Sequence, residues 1–169
     1  DFSMTLAARR DMVDHINEAH LNAISKPAFE FHGIIKGDFP ENSLPTDLDL
    51  SLKEGAQVVF IKNDPDHRWV NGTVGRVSAV AADLLEVTLE SGATHRLKQE
   101  VWNNIKYTLN PKTKKIDETV LGSFTQYPVK LAWALTVHKS QGLTFNNAII
   151  DLGHGAFAGG QTYVALSRC

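Results

Sequence analysis

The sequence predicts an α/β fold interrupted by a β-rich insertion. Three observations carry this. An apolar strand pattern, "FSMTL" (Phe2–Leu6), runs directly into a helical pattern. Several short β-rich runs then follow one another with turn signals and no helix between them. After Pro128 the apolar density rises again in "VKLAWALT" and "NAIIDL". A strand joined at once to a helix is the unit of an α/β sheet.

The helix is expected from Ala7 to about Ala23, with Leu6, Val13, Ile16, Ala19 and Leu21 at helical spacing. "FEFHGII" (Phe29–Ile35) reads as a second strand. The connector "KGDFPENSLPTDLD" contains two prolines and one glycine, which marks a domain boundary. From Lys53 to Tyr127 the runs "AQVVFIK", "GTVGRVSAV", "LLEVTLE" and "THRLKQEVW" are separated by Asn71-Gly72 and Ser91-Gly92. "IKYTLNPKTKKIDETVLGSF" reads as a long hairpin turning near Asn110-Pro111. Short strands without helices predict a small barrel. "VKLAWALT" reads as one buried strand, "VHKSQG" as a short helix ended by Gly142, and "NAIIDL" as a strand before a closing helix, "QTYVALSR". The division is thus 1–52 and 128–169 for the α/β part and 53–127 for the insertion.

Composition narrows the class. The 169 residues carry a net charge of −2, which argues against a strongly basic nucleic-acid module but leaves room for local patches. The single cysteine, Cys169, excludes a disulfide framework and favours a reducing compartment. The seven histidines show no pair at metal-ligand spacing, so no metal site is expected. No signal peptide or long apolar run is visible, so neither secretion nor a membrane partner is expected. The expected location is intracellular, in the bacterial cytoplasm. The chain begins abruptly at Asp1 on an apolar run and stops at Cys169 directly after a helical pattern, so it reads as a fragment of a longer protein.

Two stretches could carry chemistry. "LAWALTVHKSQGLTF" delivers Thr136, His138, Lys139, Ser140, Gln141, Gly142 and Thr144 at the end of an apolar strand. Ligands of open α/β sheets bind outside the carboxyl ends of strands. Hydroxyls, a lysine and free backbone amides suit a phosphate. The residues alone fit a solvated turn equally well. In "QTYVALSR", Tyr163, Val164 and Leu166 form an apolar face with Gln161 and Arg168 at its ends. A lone arginine there is ordinarily solvated.

A third stretch, "GAFAGGQT" (155–162), matches the phosphate loop G-x-x-x-x-G-K-[ST] except that Gln161 replaces the lysine. Gln161 has no charge to bring to a terminal phosphate. The glycines are instead expected to let a tight strand-to-helix crossover form. No complete phosphate loop and no strand ending in a paired Asp-Glu occurs, so the chain alone is expected to show no ATPase activity.

Together these stretches resemble the C-terminal motor region of superfamily 1 DNA helicases of the Pif1/RecD-like group. "ALTVHKSQGLTF" is similar to that group's motif V, "QTYVALSR" to motif VI, and "TLAARRDMVDHIN" more loosely to motif IV. "LKEGAQVVFIKND…RWVNGTVGRV" and "GSFTQYPVKLAWA" also resemble the group, so the likeness covers nearly the whole chain. The resemblance implies a partial RecA-like domain, of the P-loop NTPase type, interrupted by an SH3-like β-barrel. It implies ATP and Mg2+ held mainly by a first, N-terminal RecA-like domain of the same chain. On this likeness Arg168 is the finger-type catalytic arginine. Gln141, Gly142, Gln161 and Tyr163 line the ATP cleft, with Arg9 or Arg10 as further candidates. Thr136, His138, Lys139 and Ser140 match positions beside single-stranded DNA.

The implied activity is 5′ to 3′ ATP-dependent DNA unwinding, in repair or recombination. The alternatives are a non-catalytic nucleic-acid or protein-binding module, or a RecD-like subunit of a helicase-nuclease complex. Within the insertion, Lys112, Lys114 and Lys115 at the hairpin tip could touch phosphates, though such tips are more often solvated turns. Trp69 and Trp102 could stack on bases; burial is the expected fate of Trp102, and Trp133 is expected in the core.

Overall fold

Three parallel strands form the α/β part of the computed structural model, which describes residues 2–151 and 167. They are β1 (Met4–Ala7), β12 (Ala134–Thr136) and β13 (Ala148–Asp151), in the order β12-β1-β13. Their register aligns Ala7 with both Thr136 and Asp151, so these three residues share the carboxyl edge of the sheet. Met4, Leu6, Ala7, Ala134 and Leu135 are buried.

The helix α1 (Arg10–Ala23) packs on this sheet through Val13 and Asn17, and Leu21, next on the same face at four-residue spacing, joins the large core of the β-rich part. It starts three residues later than the apolar pattern suggests, because Ala7 belongs to β1. Arg9 stands at its N-cap without a side-chain cap, and its guanidinium instead pairs with Asp11 in the first turn (2.5 and 2.9 Å). At the other end Lys53 Nζ donates to the Leu21 and Ile24 carbonyls, both at 3.0 Å. This satisfies oxygens that a helix end leaves without partners.

"FEFHGII" is two strands rather than one. Residues of β2 (Phe29–His32) pair with β4 (Asp49–Leu52), whereas β3 (Ile34–Gly37) pairs with β10 (Ile116–Gln126). The change of sheet falls at Gly33, whose N–H donates to Leu48 O at 2.6 Å. A Cβ there would stand 2.6 Å from the Phe124 ring, so only glycine lets the chain cross. "VKLAWALT" divides similarly. Its β11 (Val129–Leu131) pairs with β5 (Gln57–Phe60), and β12 pairs with β1. Gln57 Nε2 marks the break by donating to Ala132 O (2.7 Å) and Ser3 O (2.8 Å).

The β-rich segment forms two open sheets rather than one closed barrel. The first has the order β11-β5-β6-β7-β8, with β6 (Val74–Ala81), β7 (Leu84–Leu89) and β8 (Thr94–Arg96). The second has the order β3-β10-β9, where β9 (Glu100–Leu109) and β10 make the expected long hairpin around Asn110-Pro111. The chain leaves β8 and turns into β9, which pairs with β10 and not back onto the first sheet. Hydrogen bonding also crosses both expected lines of division: β3 joins β10, and β11 joins β5.

The connector is anchored rather than free. It carries a 3-10 turn at Glu41–Ser43. Buried Thr46 donates to Val129 O (2.8 Å), and buried Gln126 Nε2 donates to Leu48 O (3.1 Å) and Phe31 O (2.8 Å). The largest core fills the space inside the β-rich part around Phe60, Trp69, Leu85, Val87 and Tyr127. A second core, with Val59, Leu135, Val137 and Phe145, joins the β-rich part to the parallel sheet.

Candidate functional site

The candidate site grows from the carboxyl edge of the parallel sheet. At Ala7 the chain turns into the start of α1, bringing Arg9 and Arg10 to that edge. At Thr136 the chain leaves β12 and enters a polar turn, fixed where Val137 N donates to Ala7 O at 2.9 Å. Sequence pattern and topology thus place two unrelated segments side by side, as open α/β sheets do at ligand sites.

The expected short helix at "VHKSQG" is not formed. Residues 137–142 make a series of turns in which side chains compete for the backbone. Lys139 N donates to Thr136 Oγ1 (3.2 Å), and Ser140 Oγ donates to Val137 O (2.6 Å). Leu143 N closes the series on Ser140 O (3.0 Å), with Gly142 at φ 78° just before it. That backbone angle is the one glycine adopts without steric cost.

These bonds sort the candidate residues. His138, Lys139, Gln141 and Gly142 are exposed, and Thr136 is half-buried with its oxygen already accepting. Ser140 is fully buried and its hydroxyl is committed to Val137. Among the described residues nothing lies within 4 Å of where a Cβ on Gly142 would stand. Arg9 is engaged with Asp11, while Arg10 reaches Asp14 only at 3.9 Å. Gln161, Tyr163 and Arg168, together with the "GAFAGGQT" loop and the closing helix, lie outside the described residues.

The turn is tied to the β-rich part on its far side. Leu143 sits against Gly72, where a Cβ would come within 2.6 Å of its methyl group. Phe145 is buried in the joining core, and Asn146 Nδ2 donates to Glu90 Oε2 at 2.9 Å. On the near side Asn17, overlooked as one polar residue in an amphipathic helix, brackets Ala134 of β12 (2.8 and 3.1 Å). Its signal was its place midway between Val13 and Leu21 on the buried face.

The aromatic candidates are mostly absorbed by packing. Trp69 is buried, stacked on Phe60 at 4.5 Å, with the Arg68 guanidinium 4.6 Å from its ring. Trp102 is half-buried against Phe124, with Lys62 Nζ 5.1 Å over its ring. Trp133 is half-buried and stacks with His20 at 5.2 Å. Lys112, Lys114 and Lys115 stand exposed at the hairpin tip, where Asn110 Oδ1 holds the turn. Among the described residues no three carboxylates, histidines or thiols converge to hold a metal, and no helix is long and apolar enough to cross a membrane.

No protein-family model matches the sequence. The ATP-dependent DNA helicase Pif1 of Bdellovibrio bacteriovorus is 32% identical over 168 residues, covering 96% of this chain and 36% of that protein. The structure of unliganded Pif1 from Bacteroides sp matches over 100% of this chain and 38% of its own, at 38% identity and a TM-score of 0.89. A Bacteroides Pif1 helicase in complex with ADP-AlF3 and ssDNA matches over 99% of this chain and 38% of its own, at 39% identity and a TM-score of 0.77. The chain is therefore homologous to Pif1-family DNA helicases along almost its whole length. It spans little more than a third of the length of these relatives.

Proposed function

We propose that this chain is the second motor domain of an ATP-dependent DNA helicase that moves 5′ to 3′ along single-stranded DNA. The carrying observation is the juxtaposition at one sheet edge of the start of α1 and the exposed Thr136–Gly142 turn. The ADP-AlF3 and ssDNA bound by the Bacteroides relative support nucleotide and strand as the two ligands.

In this reading 1–52 and 128–169 form a RecA-like domain, and 53–127 is an SH3-like insertion, though the paired strands make its seams run through β3 and β11. His138 and Lys139 contact the strand directly. Thr136 and Ser140 act beside it, Ser140 through the shape its hydroxyl gives the turn. Gln141 and Gly142 face the nucleotide side with Gln161 and Tyr163, and the space at Gly142, clear of the described residues, gives a ligand close access to backbone. ATP and Mg2+ are held mainly by the N-terminal RecA-like domain. Mg2+, when bound there, would supply charge neutralisation at the phosphates, and Arg168 would add a finger to the transferring group.

The test compares the full-length protein with the 169-residue chain. Full-length protein is expected to separate duplex DNA with ATP, and this chain alone to hydrolyse none. Hydrolysis above a blank by this chain, abolished by Arg168→Ala, refutes the division of labour.

A further inference from the structure

An open groove of about 820 Å3 runs between α1, the connector and the β11–β12 segment. Three cations from three separate elements line it: Arg10 in the first turn of α1, Lys130 in β11, and Lys139 in the polar turn. Only Lys139 belongs to the strand-contacting set above. Lys130 is half-buried, and its ammonium has no hydrogen-bond or ion-pair partner among the described residues. Burial and then repulsion by Lys139 hold its pKa below the ordinary lysine range, with Arg10 adding to the effect and Asp47 opposing it. Lysines taken from water ordinarily find an anion. Here three cations line one groove, and among the described residues Arg10's contact with Asp14 at 3.9 Å is the one ion pair they make.

The other charges limit what can bind. Asp14 and Glu18 on α1, with Glu41 and Asp47 on the connector, also line the groove. Burial and the nearby Asp14 push the Asp47 carboxyl above its usual range, so negative charge is already crowded there. These carboxylates confine favourable contact to one phosphate of a strand, beside Lys130. The groove is open, as a passing strand requires.

We infer that Lys130, Lys139 and Arg10 together seat one phosphate of the nucleic-acid backbone in this groove, carrying the strand past the polar turn. This rests on the helicase reading, and it adds Lys130 and Arg10 to the strand's contacts. Each cation that neutralises a phosphate of a single strand contributes about 0.7 to the slope of log K against log salt.

The test measures binding of fluorescein-labelled oligodeoxythymidine to the full-length chain by anisotropy, from about 50 to 200 mM salt. Lys130→Gln and Arg10→Gln should each flatten the slope by about 0.7, while Lys130→Arg and the exposed Lys98→Gln, outside the groove, should keep it. Unchanged melting curves show that the variants fold. Should Lys130→Gln not fold, exposed Arg10→Gln decides the matter alone. A slope unmoved by the groove variants overturns the seat, as does weakened binding of labelled ATP in its place. If the slope moves with Lys139→Gln but not with the groove variants, the seat fails and the helicase reading stands. If the unaltered chain binds no strand at all, the helicase reading itself fails.

Discussion

Asn17 takes the place of a neighbouring strand for Ala134. Its Oδ1 accepts from Ala134 N at 2.8 Å and its Nδ2 donates to Ala134 O at 3.1 Å. Among the described residues β12 is an edge of the parallel sheet, and no strand there pairs with these two backbone groups. The side-chain amide supplies both bonds from α1, two residues before Thr136 opens the polar turn. Asn17→Ala leaves both groups buried and unpaired and should cost about 1–3 kcal/mol in urea denaturation. A loss below about 0.5 kcal/mol, within the range of surface substitutions, contradicts the bracket.

Asp64 makes a second prediction, in acid. Its carboxylate accepts from Arg68 Nε (2.7 Å), Nη2 (3.0 Å) and backbone N (3.0 Å), and the Arg68 hydrogen bonds lower its pKa from 3.8 to about 2. A carboxyl depressed in the folded state stabilises it above the unfolded value and loses that stabilisation as pH falls through the folded one. The melting-temperature gap between the unaltered chain and Asp64→Asn should therefore be full above pH 3.8 and close as pH falls towards about 2. Parallel profiles across that window contradict the assignment.

The strand-to-helix opening and the long hairpin were legible because their signals are local: apolar spacing in α1 and a turn at Asn110-Pro111. The breaks at Gly33 and Ala132 were not. "FEFHGII" and "VKLAWALT" each read as one strand, and what divides them is the choice of a distant partner strand. Closure of a barrel is likewise a pairing between remote strands, which alternation cannot specify. At the site, the residue types of the polar turn were readable. Its backbone was not: one helical bond forms, from Ser140 N to Thr136 O at 3.0 Å, and Gly142 at φ 78° then ends the pattern. Asn17 was hidden by its polarity, although its position among Val13 and Leu21 placed it on the buried face.

His138 and Lys139 are exposed on the turn, so their loss should weaken strand binding without unfolding the protein. Lys139→Ala should flatten the salt dependence of single-strand affinity by about 0.7 in slope. His138→Ala should weaken binding as well. Both variants should melt at the temperature of the unaltered chain. Equal affinity across the whole salt titration removes these residues from the strand's path.

The central claim is that this segment completes an ATP site held by another domain. The direct measurement is DNA-stimulated ATP turnover and ATP binding by full-length protein with Arg168→Ala. The account predicts ATP affinity near that of the unaltered protein and turnover lowered by about 10³-fold or more, the scale of a lost arginine finger. An unaltered turnover rate in Arg168→Ala would contradict it.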